Sequence, residues 1–229
     1  MSNASNALHR RVGRPNKSVL SRELILVTAL RVLKRTGPDD FTMAALAADL
    51  GVKSPALYHH VGGKRDILAG IREYISDRID TSAFGVRPWP EAVTVWARSY
   101  RAAFAAHPHA IALLATLPIA GAHRTLAMYE VVARGFVDSG WPEELVINNV
   151  VALENFILGS ALDAVAPADM LEPGDFADEV PVFATALQAR DRTDSAASPA
   201  DQAFELGLAA IVTGLEASRA VLTQGGRER

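Results

Sequence analysis

The sequence predicts an all-α protein, and three observations carry that prediction. Apolar residues recur at three- and four-residue spacing through most of the chain. No stretch alternates apolar and polar residues as a half-buried strand would. Glycine and proline cluster where one helical pattern stops and the next begins.

The elements follow in order. From 20 to 35, Ile25, Ala29 and Val32 form one apolar row and Leu26, Leu30 and Leu33 a second, until Gly37-Pro38 ends the helix. Thr42 caps a short alanine-rich helix over 43–50, closed by Gly51. Ser54, as cap, and Pro55, at the first helical position, start a helix running to about His60, broken by Gly62-Gly63. A longer amphipathic helix over 64–80 sets Ile67, Leu68, Ile71 and Ile75 on one face, and Gly85, Pro88 and Pro90 break the pattern. Helices are then expected at about 91–106, 109–116, 122–139, 143–165, 180–191 and 200–222, with loops at 166–179 and 192–199.

Of the 229 residues, 49% are hydrophobic, which supplies a substantial core. No uninterrupted apolar run approaches the roughly 18 residues that span a bilayer, and residues 1–17 are too polar and basic for a secretory leader. With no cysteine, disulfides and thiolate metal sites are excluded. The expected location is the cytoplasm, away from membranes. The net charge of −3 conceals an asymmetry. Residues 1–70 hold eleven Lys/Arg against five Asp/Glu, a net +6, and the remainder twelve against twenty-one, a net −9. A basic end on an acidic body fits a polyanion touched by one end only.

Residues 41–64, FTMAALAADLGVKSPALYHHVGGK, have the layout of a helix-turn-helix, two short helices joined through Asp49-Leu50-Gly51-Val52. Gly51 supplies the positive φ of such a turn, and Ala47 and Ala48 allow close approach. Leu46, Val52 and Leu57 are the expected buried contacts. The second helix is the candidate recognition element for the major groove, exposing Lys53, Ser54, Ala56, Tyr58, His59 and His60. A helix-glycine-helix pattern alone more often describes an ordinary helical hairpin; the surrounding residues decide.

Those residues, Leu50-Gly51-Val52, Leu57-Tyr58-His59-His60, Lys64 and Ile67-Leu68, resemble the TetR family of bacterial repressors over about 20–71. The opening Leu20-Ser21-Arg22-Glu23 is similar to the subgroup containing the tetracycline repressors. The resemblance implies a one-component regulator of double-stranded operator DNA. Thr42 would cap its helix and bind phosphate, while Lys53 and Ser54 would stand where the recognition helix enters the groove. Pro55 and Ala56 would pack on thymine methyls, Tyr58 and His59, with His60 beside them, would touch backbone or bases, and Lys64 would hold a phosphate. Ala44 and Ala45 replace basic residues of the tetracycline repressors, which implies a different operator. Upstream, 10–17 (RRVGRPNK) is a basic arm around Arg14, expected either to enter the adjacent minor groove or to stay a solvated tail.

The expected organisation is a flexible basic arm at 1–19, a DNA-binding domain at 20–66, and a ligand-binding and dimerisation domain at 67–229. Residues 106–108, 136–140 and 155–159 also look like the tetracycline-repressor core. That likeness implies a homodimer through the helices at about 143–165 and 200–222, whose small residues Gly159, Ser160, Ala161, Gly207, Ala209, Ala210 and Gly214 allow close packing. A small-molecule pocket is expected from Trp96, Tyr100, Phe104, His107, Leu113, Thr116, Tyr129, Phe136 and Asn155, although each aromatic alone reads more readily as plain core. Tetracycline repressors hold a drug–magnesium chelate through a histidine; near that position stand Leu113 and Leu114, and Asn155 replaces another pocket histidine, while Asp163 stands in the place of the acid. The expectation is therefore no metal, no cofactor, and a largely apolar or aromatic effector. Gly62, Gly63 and Gly70 are the expected hinge of the helix joining the domains.

Two other classes stay open. One is a helix-turn-helix regulator without a small-molecule inducer. The other is an enzyme, suggested by His107 with His109 or His123 with Arg124; Pro108 interrupts the first pair, and no phosphate loop, nucleophile elbow or acidic metal cluster accompanies them.

Overall fold

The computed structural model describes residues 20–192 and 195–225. Among the described residues are ten α-helices, one 3-10 helix and no strand. The first three, α1 (Arg22–Thr36), α2 (Met43–Asp49) and α3 (Ser54–Tyr58), pack together, and α4 (Lys64–Ser76) leads away from them. The rest is built from α5 (Trp89–Ala105), α6 (Pro108–Ala115), α7 (His123–Asp138), α8 (Glu143–Asp163), α9 (Pro181–Asp191) and α10 (Pro199–Gly225).

Side-chain caps set two of the starts. Ser21 accepts the Leu24 amide ahead of α1, and Thr42 accepts the Ala45 amide ahead of α2, each at 3.1 Å. Ser54 departs from its predicted role: it is the first helical residue of α3, behind Lys53. The Lys53 carbonyl takes the Ala56 amide at 2.9 Å, so the helix begins one residue early and needs no hydroxyl cap. The predicted loop at 166–179 contains the 3-10 helix Gly174–Glu179, an element too short to leave an apolar period in the sequence. Helix α4 stops at Ser76, four residues before its predicted end.

Helix α5 is central, with α8 packed along it and α10 against both. Trp96, Leu153, Ile157 and Ala161 are fully buried there. The Phe156 and Phe204 rings stack at 5.5 Å, and the Arg101 guanidinium lies 4.6 Å over Phe204 while pairing with Asp201 at 2.6 Å. A Cβ on Gly207 would come within 2.6 Å of the Phe156 ring. Gly207 and Ala161 therefore serve packing inside the protomer, whereas Gly159 and Gly214 face open space. The outer faces of α8 (Ile147, Val151, Leu162) and α10 (Leu206, Val221, Leu222) are apolar and uncovered. By length and composition α8 is the one described helix that could cross a membrane; its inner row is taken up by the contact with α5.

Candidate functional site

At the N-terminal end, α2 and α3 are joined through Gly51, whose φ of 65° lies in the left-handed region that favours glycine. Leu46 and Leu57 are fully buried between the helices, and Val52 is half-buried at the turn. Leu57 is the one buried residue of α3. Outward from that anchor, Lys53, Pro55, Tyr58, His59 and His60 are exposed, with Ser54 and Ala56 half-buried beside them. Tyr58 keeps 56% of its surface in solvent. Thr42 is exposed, and its hydroxyl oxygen is occupied by the cap while its proton is free to donate. Lys64 opens α4 with its ammonium 5.5 Å from the centre of the buried Phe41 ring. Thr42, the α3 residues and Lys64 thus sit on consecutive elements, with α2 packed on α3 and Lys64 over the Phe41 ring just ahead of α2.

The formal charge of this end overstates what is free to meet a polyanion. Arg31 and Arg35 both bind Asp49, at 2.8 and 2.6 Å, and Arg22 grips Asp66 through two bonds of 2.7 and 3.1 Å. Asp66 also accepts the Gly62 amide at 2.8 Å. These partners hold both carboxyls below the usual carboxylate range, Arg31 and Arg35 acting on Asp49 and Arg22 chiefly on Asp66. The three arginines therefore fasten α1 to the end of α2 and the start of α4. Lys53, Lys64 and Arg65 are the exposed cations nearest α3 without an acidic partner among the described residues. Arg14 and the rest of the basic arm lie outside the described residues.

Behind this end, α4 to α8 enclose a cavity of about 220 Å³. Its polar wall comes from Arg72 and Ser76 of α4, Tyr100 of α5, Thr125 and Tyr129 of α7, and Glu154 and Asn155 of α8; Phe104, Ile111, Leu114 and Leu158 are among its apolar residues. Glu154 accepts the Tyr100 hydroxyl at 2.9 Å and that of Tyr129 at 2.5 Å. Burial pushes the Glu154 carboxyl up, the tyrosine hydrogen bonds opposing it, and burial beside Glu154 pushes both phenols up. Ser76 and Thr125 share a hydroxyl hydrogen bond of 3.0 Å.

The same α4 residues tie that helix to its neighbours. Arg72 donates to the carbonyls of Leu114 and, at 2.8 Å, Leu117, at the end of α6. Glu73 accepts the Arg124 and Thr125 amides at 2.9 and 3.2 Å and the Thr125 hydroxyl at 3.1 Å, satisfying the orphan donors that open α7. Gly70 works differently from a hinge. Its backbone is regular helix, and a Cβ there would reach within 2.6 Å of Leu26, so it is a point of close contact between α4 and α1. Gly63, with φ 126°, does hold a glycine-favouring conformation just before α4.

Of the predicted pocket residues, the structure brings Tyr100, Phe104, Tyr129 and Asn155 into this wall. Trp96 is fully buried behind Tyr100, ring centres 5.5 Å apart. Phe136 packs with Trp89 and Trp141 at 4.9 and 5.8 Å, away from the wall. Leu113 packs on the core, and Thr116 is exposed, its hydroxyl donating to the Leu113 carbonyl at 3.2 Å. His107 lines a second cavity with Leu30, Leu33 and Lys34, where burial first and then Arg78 lower its pKa. Sequence reasoning missed Arg72, Ser76, Thr125 and Glu154. No histidine lines the cavity between α4 and α8, and no group of three or more His, Asp or Glu could hold a metal ion among the described residues.

Burial of Glu154 has a measurable sign. Its folded pKa lies above the unfolded value of roughly 4.3, so the folded chain loses stability as pH rises between those two values. Glu154→Gln keeps an acceptor for the tyrosines and removes the ionisation. The difference in Tm between Glu154→Gln and the parent is expected to grow in favour of the variant from pH 4 to 7. A difference independent of pH would contradict that expectation.

Comparison with known proteins places this arrangement. Residues 25–71 match the family described as bacterial regulatory proteins, tetR family, and residues 85–219 match the tetracyclin repressor-like C-terminal domain. The tetracycline repressor protein class A from transposon 1721 of Escherichia coli is 30% identical over 212 residues, which cover 89% of this chain and 94% of that protein. An uncharacterized HTH-type transcriptional regulator of Mycobacterium tuberculosis is 39% identical over 113 residues, about half of each chain (48% and 51%). Among solved structures, apo ActR from Streptomyces coelicolor superimposes with a TM-score of 0.70 at 25% identity, covering 89% of this chain and 98% of that one. The same ActR in complex with actinorhodin gives 0.67 at 25% identity, over 88% and 99%. The chain belongs to the tetR family of bacterial regulatory proteins and is a DNA-binding transcriptional regulator.

Proposed function

We propose that this regulator is a repressor that binds a near-palindromic operator as a homodimer and leaves it when a small molecule enters the cavity between α4 and α8. The observation that carries the reading is the position of α4. Its first turn is tied to the end of the recognition helix through Arg22, which binds both the His60 carbonyl and Asp66, and its Arg72 and Ser76 are cavity wall. An occupant that changes the spacing of α4, α6 and α7 acts on the mounting of α3. Ligand and DNA then favour different spacings of the paired recognition helices, and emptying the operator takes several kcal/mol of preference. Solved relatives bear on the same mode: one is described in complex with actinorhodin and another with minocycline.

The proposed division keeps residues 20–66 as the DNA-binding domain, 67–229 as the effector and dimer domain, and 1–19 as an arm reaching the minor groove. The dimer forms through the uncovered apolar faces of α8 and α10, since two recognition helices on successive major grooves require a two-fold pair. The site of action is the cytoplasm. No step of this mechanism requires catalysis or a cofactor.

The test is selection of bound duplexes from a random DNA pool, repeated with Lys64→Ala and with residues 1–17 removed. The expected product is an inverted repeat, weakened in the variant, with flanking A·T preference lost from the truncated chain. Recovery of a single half-site, or of no motif at low salt, would remove the dimeric-operator reading.

A further inference from the structure

The cavity is chemically incomplete at Arg72. This residue is 7% exposed, and its Nη2 is spent on the carbonyls of Leu114 and Leu117. Its Nη1 is shut off from solvent and has no hydrogen-bond partner. No carboxylate forms an ion pair with this guanidinium among the described residues, and Glu154, the other charged residue of the wall, is already taken by two tyrosine hydroxyls. A buried donor without an acceptor is unfavourable; Glu154 feels the charge of Arg72 without forming an ion pair with it. A guanidinium meets a carboxylate through parallel, charge-assisted hydrogen bonds, which makes an acid the natural complement.

We propose that the cavity recognises a compact aromatic acid whose carboxylate is held by Arg72 and whose ring lies among Phe104, Ile111, Leu114 and Leu158. The inference rests on the ligand-gated reading above and narrows it, adding a charge to the apolar or aromatic effector that the sequence suggests. The size follows from the volume: 220 Å³ lies below the roughly 300–1,000 Å³ of drug-sized sites, which fits a skeleton of about one or two rings. The Glu154 carboxyl is bonded to the Tyr100 and Tyr129 hydroxyls, and burial raises its pKa. Arg72 also holds the end of α6, so an acid pulling on its guanidinium acts on the contact between α4 and α6.

The test uses the full-length protein with benzoic, cinnamic and 2-naphthoic acids, each beside its amide and the corresponding amine. Calorimetry and Tm shifts are read for the parent, Arg72→Gln and Arg72→Lys, with operator binding measured in parallel. At least one acid is expected to bind tenfold or more tightly than its amide, with the amine weakest. That preference is expected to vanish in Arg72→Gln and partly return in Arg72→Lys. The acid-to-amide ratio in the parent decides the matter even where a variant folds poorly. Equal binding of acid and amide, a preference that survives Arg72→Gln, or no binding by any of the nine compounds would overturn the proposal. Amides or amines that bind and release the operator would overturn the acid assignment and leave ligand gating standing. Acids that bind through Arg72 without changing operator affinity would do the reverse.

Discussion

Replacing Tyr58 with alanine is expected to weaken operator binding about 100-fold while leaving Tm within about a degree. The side chain stands 56% exposed on α3 and makes no contact that holds the fold, so its loss falls in the class of neutral surface changes. Each groove or backbone contact is worth about 1–3 kcal/mol. In the proposed dimer the contact is made twice, and about 1.4 kcal/mol per copy compounds to two decades. Titration of labelled operator at fixed salt, beside thermal melts, checks both halves. Lys64→Ala is the informative contrast: loss of a phosphate contact weakens all sequences alike and flattens the salt slope, whereas Tyr58→Ala changes which sequences are preferred. Unchanged affinity for Tyr58→Ala would move the reading surface off α3.

Phe41→Ala is expected to abolish operator binding by a different route. Phe41 is fully buried, just ahead of α2, and joins the core of the DNA-binding end to the base of α4. Truncating a buried phenylalanine costs about 3–5 kcal/mol, and three short helices around Leu46 and Leu57 have little surplus to absorb it. The expected result is a biphasic melt: the N-terminal end unfolds first, operator binding is lost at 37 °C, and the dimer persists in sedimentation. A single transition shifted downward as a whole would mean that residues 20–66 do not fold as a separate unit, and would redraw the domain boundary at 66.

The all-α architecture and the helix-turn-helix were legible because local rules and tertiary packing agree there. Rows such as Ile25, Ala29 and Val32 came out buried as a set, and Thr42 and Gly51 do in the structure what their chemistry suits them for. The cavity was half legible. Large aromatics announce themselves, but whether one faces a void or another ring depends on packing that periodicity does not encode, so Tyr100 and Trp96, four residues apart on α5, part company. Arg72 and Glu154 did leave a signal. Each falls in step with apolar neighbours, Arg72 four residues after Leu68 and Glu154 four after Val150, and a charge on a buried helical row is unusual enough to mark a site. The arginine clamps on Asp49 and Asp66 were hidden by formal charge counting, which cannot tell a paired cation from a free one.

Helix α3 is five residues long and rests on Leu57 alone for its burial. What keeps it in place belongs to other elements: the Gly51 turn, the Arg22 grip on Asp66 and the His60 carbonyl, and the packing of α1 on α4. The side chains proposed to read DNA therefore carry almost none of the stability of the molecule. Descendants of such a gene can exchange the letters at 53, 55, 58 and 59 with little risk to folding, and so acquire a new target while keeping the rest of the fold. Innovation at the N-terminal end and constancy in the larger helical body become separable because the five-residue helix is a passenger on its own scaffold.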